Sequence, residues 1–281
     1  MEGEAMTVAH EDQFGSVRFK GKRSEYYMIY NKFQIIEPKQ EFHNIPLERV
    51  RQLLNTMRFE VADVRTNQLL RRFLPEEVKN DLKDKRKGEA CFIIGGGPSL
   101  EGFNFNRLDE FFTIAVNHSI EHYPKAAAVL FGDAVFLQRT SFDLKGYAGM
   151  IFCSVASGYS NSDPRDNVYC FRFQRQAVQA DFSQGLLFTM LSGTAAINAA
   201  IIMGCSPIVL LGFDLYTRED GNNHYYQDIK GQRQPTGTYS SKVDHFEKFR
   251  PWVDRIINCS EKSLITTFRK KSIDEVLAWL K

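Results

Sequence analysis

The pattern of apolar and polar positions changes character at Gly88. Before it, Tyr26 to Ile36 (YYMIYNKFQII) is aromatic and β-branched, which predicts a short strand or an edge-packed segment. From Pro46 to about Phe73, residues Leu47, Val50, Leu53, Leu54, Met57, Val61 and Val64 recur at three- and four-residue spacing, which predicts a helix. Pro75 opens a second helix, EEVKNDLKD, with acids early and bases late, as the helix dipole favours. The first 25 residues are polar, carry Gly3, Gly15 and Gly21, and read as loosely ordered. The charged run Lys83 to Lys87 followed by Gly88 marks a linker, for which a solvated helix end is the plainer account.

Beyond Gly88 short, mostly apolar runs, the first of them continuously apolar, alternate with helical stretches. The strand candidates are Ala90–Ile94, Phe112–Val116, Ala127–Phe131, Met150–Cys153, Val168–Phe171, Ile208–Leu211 and Ser263–Thr267, and the clearest helix is Ser192–Met203. Buried strands alternating with helices predict an α/β fold, a Rossmann-like, mostly parallel sheet with helices on both faces. The expected organisation is a mainly helical N-terminal appendage over residues 1–87 and a Rossmann-like domain over residues 88–281. Such sheets take their ligands at the carboxyl ends of the strands, near a topological switch point.

Composition narrows the class. Of 281 residues 43% are hydrophobic and 25% charged, which excludes disordered, collagenous and disulfide-scaffold chains. With 36 basic and 34 acidic residues the net charge of +2 offers no general case for nucleic acid or membrane binding. Cys91, Cys153, Cys170, Cys205 and Cys259 are widely spaced and form no C-x-x-C pair, so they read as reduced thiols rather than a zinc site. Residues 1–20 hold no apolar targeting core, and no run reaches the roughly 18–20 apolar residues of a membrane span. The expectation is a soluble cytoplasmic protein.

Four places could carry chemistry. The strand at Cys91 ends in Gly95-Gly96-Gly97-Pro98-Ser99-Leu100, where three glycines let consecutive amides converge on an anion. It is neither a Walker motif nor G-x-G-x-x-G, and a tight strand-to-loop turn is the alternative. Ser192-Gly193-Thr194 opens an alanine-rich helix that Gly204 stops; with Ser192 as N-cap its first amides would suit a phosphate or carboxylate. Asp214 and Tyr216 follow the strand Ile208–Leu211, Asp214 having a loop-capping role as its alternative, and a polar stretch from Thr217 to Tyr239 resembles a lid carrying Tyr225 and Tyr226. These tyrosines could donate to a leaving phosphate or pack the loop down. His245, beside Asp244 at the start of HFEKFRPWVDRI, could act as a general base, although a lone histidine is more often structural. Asn117 and Asp133 end two further strands at the same sheet edge. No metal-ligand spacing and no G-x-S-x-G elbow is present.

The order GGGPSL, VNHS, FGDAVF, SGTAAINAAIIMGCSPIVLLGFDLY and then a histidine before a helix resembles the bacterial lipooligosaccharide sialyltransferases. It is still more similar to their relatives in the 6-hydroxymethylpterin diphosphokinase-like family, which includes flagellin-modifying motility accessory proteins. The resemblance covers about residues 88–281. It implies a donor site for a cytidine monophosphate (CMP)-linked sugar lined by Gly95, Gly97, Pro98, Ser99 and Asn117. Ser192, Gly193 and Thr194 would meet the phosphate and the sugar carboxylate, Tyr216 the departing phosphate, and His245 would deprotonate the acceptor hydroxyl. Three positions depart from the sialyltransferase pattern. Gly96 replaces an asparagine, Asp133 replaces another, and the second leaving-group tyrosine is missing, with Asn222 at its spacing and Tyr225 or Tyr226 as substitutes.

The leading expectation is a glycosyltransferase moving an acidic sugar from a CMP-activated donor to an acceptor hydroxyl, with no cofactor required. Asp133, a negative charge beside a phosphate, instead favours a magnesium- and ATP-dependent diphosphokinase with Asp133 and Asp214 as metal ligands. A non-catalytic nucleotide-binding or assembly protein is the third alternative. Tyr26, Tyr27, Tyr30 and Phe33 could form an interface between copies of the chain, or simply pack a core.

Overall fold

The structure is a computed structural model. It describes residues 14–19, 25–29, 32–36, 41–46, 59–61, 82–154, 157, 159, 167–182, 185–216, 218, 224–226 and 240–281. The chain divides into two compact units, Met1–Glu76 and Glu77–Lys281.

The described residues of the first unit are strands. β1 (Phe14–Phe19) pairs antiparallel with β4 (Glu41–Pro46) on one side and β5 (Phe59–Val61) on the other. β2 (Glu25–Ile29) and β3 (Lys32–Ile36) form an antiparallel hairpin across the YYMIYNKFQII segment. Two expectations change here. The start read as loosely ordered contains β1. Phe59–Val61, inside the stretch read as one helix, pairs with Val17–Phe19, so strand pairing overrides the helical spacing there. The remainder of residues 47–73, the helix expected from Pro75 to Asp84 as far as residue 81, and Tyr30 lie outside the described residues; Leu82–Asp84 form a turn.

The second unit is a nine-stranded parallel sheet in the order β11-β10-β9-β8-β7-β6-β12-β13-β14. Its strands are β6 (Cys91–Ile94), β7 (Phe112–Val116), β8 (Ala128–Phe131), β9 (Met150–Ser154), β10 (Val168–Gln174), β11 (Leu186–Phe188), β12 (Ile208–Leu211), β13 (Ile256–Asn258) and β14 (Arg269–Lys270). Every residue of β6, β7, β8 and β12 is buried, as a sheet covered on both faces requires. Cys91 and Ile93 join the core of one face with helix α3 (Ser192–Ile202). Phe92 and Ile94 join the other with residues of α1 (Ser119–His122), α2 (Ala134–Arg139) and α4 (Ile273–Leu280). This is the expected Rossmann-like architecture.

The chain leaves β6 in one direction through β7 and β8, and returns to β6's other side as β12. The carboxyl ends of β6 and β12 therefore flank the switch point. Ala195, Ala196, Ala199 and Ala200 are fully buried, and their small side chains let α3 sit close to the sheet. At its end, Gly204 adopts a left-handed φ of +79°. The run from Lys83 to Lys87 is hydrogen-bonded to that end: Asp84 N donates to Ile202 O at 3.0 Å and Arg86 N to Met203 O at 2.8 Å.

Ser263–Thr267 is a loop rather than a strand. The outer strands on that side are β13, which follows a 3-10 helical stretch over Ser240–Arg255, and the short β14. The Ser263 hydroxyl and Leu264 amide donate to Phe213 O and Asp214 O, so this loop braces the end of β12. Cys153 and Cys170, read from the sequence as reduced thiols, are directly opposed on β9 and β10 and joined by a disulfide; Cys91, Cys205 and Cys259 are free.

Candidate active site

The turn after β6 is locked to the turn after β12. Gly95 N donates to Leu211 O and Gly97 N to Gly212 O, both at 2.8 Å. Side chains would not fit between them. A Cβ on Gly97 would lie 2.0 Å from Asp214 Oδ2 and 2.6 Å from Gly212 O, and Gly212 itself has a φ of +67°. The glycines thus serve close approach of two strand ends, and the same packing leaves a surface bare of side chains.

That surface forms one wall of a cavity of about 460 Å³ at the carboxyl edge of the sheet. Asn117 and Asp133, at the ends of β7 and β8, line it together with Ser192 and Gly193 of α3, Arg175 beyond β10, and Tyr216. Asn117 holds a left-handed φ of +52°, and its Oδ1 is buried without a hydrogen-bond partner among the described residues. At α3 the N-cap is Leu191, one residue earlier than the expected Ser192. The Thr194 hydroxyl accepts from Met190 N at 2.9 Å, and Thr194 N and Ala195 N turn back to Leu191 O. The amides of Ser192 and Gly193, the first of the helix, have no intrahelical acceptor and belong to cavity-lining residues. Phe213 packs beneath them: a Cβ on Gly193 would sit 2.7 Å from its ring.

Residues 224–226 close over the glycine turn. Tyr225 N donates to Gly96 O at 3.0 Å, and His224 Nδ1 faces the same carbonyl at 3.3 Å. The Tyr226 ring is stacked between two imidazoles, with centroids 4.9 Å from His224 and 5.3 Å from His122. A Cβ on Gly96 would meet the Tyr226 hydroxyl at 2.7 Å and His224 Nδ1 at 2.6 Å. Glycine at 96 is what these two side chains require, and they fill the space a larger residue would occupy. Burial holds the His224 and His122 imidazoles below the ordinary histidine range. Tyr225 instead turns its ring toward Phe105 and His122, and burial pushes its phenol up to about 12.

The cavity gathers Gly95, Gly96, Gly97, Asn117, Asp133, Ser192, Gly193, Tyr216 and Tyr226 from the residues singled out in the sequence. Pro98, Ser99, Thr194, Asp214, Tyr225 and His245 are not among its lining. Pro98 is buried in the 3-10 turn Pro98–Leu100. Thr194 braces the start of α3. Asp214 is fully buried, and its Oδ2 accepts from Ser99 N at 3.0 Å and Ser99 Oγ at 2.9 Å. Burial raises its carboxyl, and the Ser99 hydrogen bonds offset that only in part. Asp133 also caps locally, its Oδ1 accepting from Phe136 N at 2.9 Å at the start of α2.

His245 lies close enough to Arg175 to feel its charge. Desolvation, then Lys242 and Arg175, hold its imidazole below the ordinary range, against the opposing pull of Asp244. Burial first, and then the Asp214 charge, raise the Tyr216 phenol. Sequence reasoning passed over Arg175 and His224. Arg175 is the one guanidinium of the lining and has no carboxylate partner among the described residues. Its place four residues after a strand residue such as Phe171 was the available signal. His224, next to Tyr225, stood in the polar stretch already marked as a lid. Among the described residues no cluster of three or more His, Cys, Asp or Glu could hold a metal ion. No helix of the described residues is long and apolar enough to cross a membrane.

No protein-family model matches the chain, and no curated protein does. Among solved structures it is similar to the MAf glycosyltransferase from Magnetospirillum magneticum AMB-1, at 13% identity and a TM-score of 0.46 over 80% of this chain. The match covers 47% of that protein, so the chain spans about half its length. It is also similar to monomeric CstII, at 16% identity and a TM-score of 0.42, covering 64% of this chain and 85% of that one. A third similarity is to the sialyltransferase CstII from Campylobacter jejuni in complex with the substrate analogue CMP-3FNeuAc, at 15% identity and a TM-score of 0.39, covering 66% and 85%.

Proposed function

We propose that the second unit is a glycosyltransferase that moves an acidic sugar from a CMP-linked donor to an acceptor hydroxyl. One observation carries the reading: at the switch point of a parallel sheet, the glycine turn, the open amides of Ser192 and Gly193, Asn117, and Arg175, which has no carboxylate partner among the described residues, meet in one cavity. Fixed donors of this kind suit a nucleotide phosphate and an anionic sugar, and they stabilise charge that builds on a leaving phosphate. The order of motifs in the sequence supports the CMP-linked donor.

On this reading the acceptor oxygen bonds to the anomeric carbon as the bond from that carbon to the phosphate oxygen breaks. The electron pair stays on the phosphate, where Tyr216 and Tyr226 donate hydrogen bonds. Tyr226, with its hydroxyl at Gly96, takes the role for which the sequence offered either Tyr225 or Tyr226. The acceptor proton passes to His245, which is neutral at neutral pH because its surroundings depress its pKa. His245 lies outside the cavity lining, so the acceptor seats beside Arg175, between the cavity and the imidazole.

We further propose that the reaction needs no metal. The diphosphokinase alternative calls on Asp133 and Asp214 as metal ligands, but Asp214 is not among the cavity lining and its Oδ2 already accepts two hydrogen bonds from Ser99. The test is calorimetry of the full chain with CMP, ATP and other nucleotides, with and without magnesium, followed by a transfer assay with CMP-activated acidic sugars. CMP binding that ignores chelator, with sugar transfer, is expected. Binding of ATP alone, lost on chelation, would overturn the proposal, and binding without transfer to any acceptor would reduce it to nucleotide recognition.

A further inference from the structure

The carboxylate at Asp214 sits at the end of a closed chain of hydrogen bonds. Phe213 N donates to Ser260 Oγ at 3.1 Å, Ser260 Oγ lies 3.1 Å from Ser99 Oγ, and Ser99 Oγ donates to Asp214 Oδ2 at 2.9 Å. With Ser99 donating onward, the bond between the two hydroxyls runs from Ser260 to Ser99. The chain leaves the backbone at Phe213 and returns at the next residue, taking in the turns after β6, β12 and β13. It needs an acceptor at its end, and a carboxylate oxygen is one.

The same oxygen does a second job. The 3-10 turn Pro98–Leu100 starts at Gly97, which has no side chain to cap it. Ser99 N donates to Asp214 Oδ2 at 3.0 Å, so a carboxylate from another strand end supplies the missing cap. A Cβ on Gly97 would lie 2.0 Å from that oxygen, so glycine at 97 is what lets the carboxylate reach Ser99.

We propose that Asp214 is a positioning residue: by holding Ser99 it sets the glycine turn that faces the cavity, without itself touching substrate. The consequence for ligand affinity rests on the donor-site reading above; the consequence for the turn does not. Hydrogen exchange of the uncomplexed chain tests the turn directly. In Asp214→Ala, exchange in a peptide spanning residues 95–101 should rise by about tenfold or more, the worth of one or two lost hydrogen bonds. A peptide spanning α3 should stay within about twofold. Ser99→Ala should give a smaller rise, and Asp214→Asn, which keeps one acceptor oxygen, should recover most of the protection. CMP affinity should fall in the same order as protection.

Unchanged exchange at the turn in both Asp214→Ala and Ser99→Ala would overturn the proposal. So would lost CMP binding in Asp214→Ala with the turn still protected, because that marks Asp214 as a direct ligand. If Asp214→Ala does not fold, Ser99→Ala and Ser260→Ala decide by the same readout. A turn loosened as expected in a protein that binds no nucleotide would leave this inference standing and remove the proposed function.

Discussion

Substituting Gly96 and Gly97 separately should divide function from stability at adjacent positions. Gly96 is outside the left-handed φ region, so its backbone accepts alanine. Its Cβ would lie 2.6 Å from His224 Nδ1 and 2.7 Å from the Tyr226 hydroxyl, where ordinary contact starts at 3.4 Å. Both side-chain ends must therefore retreat by roughly 0.7–0.8 Å. The hydrogen bonds of His224 and Tyr225 to Gly96 O, at 3.3 and 3.0 Å, then stretch or break. Each contributes about 0.5–1.5 kcal/mol, and alanine recovers about 0.4–1 kcal/mol through the unfolded chain. Losing about 1 kcal/mol from each bond and recovering about 0.7 kcal/mol leaves a net loss of about 1.3 kcal/mol, so the melting temperature of Gly96→Ala should fall by about 3–5 °C. On the proposed function, in which Tyr226 holds the donor phosphate, CMP affinity should fall by about 1–2 kcal/mol, or roughly five- to thirtyfold. At Gly97 the obstacles are a backbone oxygen at 2.6 Å and the Asp214 carboxylate at 2.0 Å. Neither is the free end of a flexible side chain. Gly97→Ala must part the two strand ends and should lower the melting temperature by about 6–12 °C, for a loss near 3 kcal/mol. Calorimetric melts and CMP titrations of the two variants settle the matter. Equal melting losses, or an undiminished CMP affinity in Gly96→Ala, would refute the claim that residues 224–226 rest on Gly96 as part of the site.

His245→Ala should lose sugar transfer by about a hundredfold or more while CMP still binds, and full turnover would remove the imidazole from the reaction. Because its surroundings depress the His245 pKa, the acidic limb of kcat/KM should fall below pH 6.5; Arg175→Ala removes one depressing charge and should move that limb to higher pH. The same sign applies to stability: His122, His224 and His245 have folded pKa values below their unfolded ones, so the stability they contribute is present above about pH 6.5 and is lost as pH falls through the folded values, which acid melts would detect. Tyr226→Phe should weaken CMP binding several-fold and Tyr225→Phe should not, a contrast that titration of both variants measures. Transfer assayed after chelation should keep its full rate.

What the sequence made legible follows burial. β6, β8 and β12 are continuously apolar, and β7 nearly so with only Thr113 polar, because both faces of the sheet are covered there, and their limits were read to within a residue. The glycine turn and the start of α3 were legible for a related reason, since close backbone approach leaves glycine and alanine little competition. The outer strands were not. β13 is three residues long and follows directly on the Ser240–Arg255 stretch, so its Ile256 reads as the end of a helix. Ser263–Thr267 has the composition of a strand, yet its polar groups serve Phe213 and Asp214 instead of a ladder. Phe59–Val61 carries a helical spacing and pairs with β1. Side-chain direction was least legible. Asp214 stands at the ligand edge in sequence order, but whether its carboxylate faces the cavity or Ser99 depends on a partner 115 residues away.

Asp133 shows how a local reading of charge changes once neighbours are placed. Taken alone at the end of β8, a carboxylate next to a bound phosphate calls for a cation to offset it. In the fold that carboxylate is partly spent on the amide of Phe136 at the start of α2. The cavity it faces also holds Arg175, without a carboxylate partner among the described residues, and the first amides of α3. On the proposed function the positive counterweight is built into the chain, and Asp133 by itself does not call for magnesium. Arg175 then carries, on the same reading, more of the burden of anion binding than a site with an uncharged residue at position 133 would ask of it. Replacing Asp133 by asparagine should accordingly ease the penalty of Arg175→Ala, and the double variant should bind CMP more tightly than Arg175→Ala alone. Strictly additive effects would mean that the two charges do not share the ligand, and the case for a bound magnesium ion would reopen.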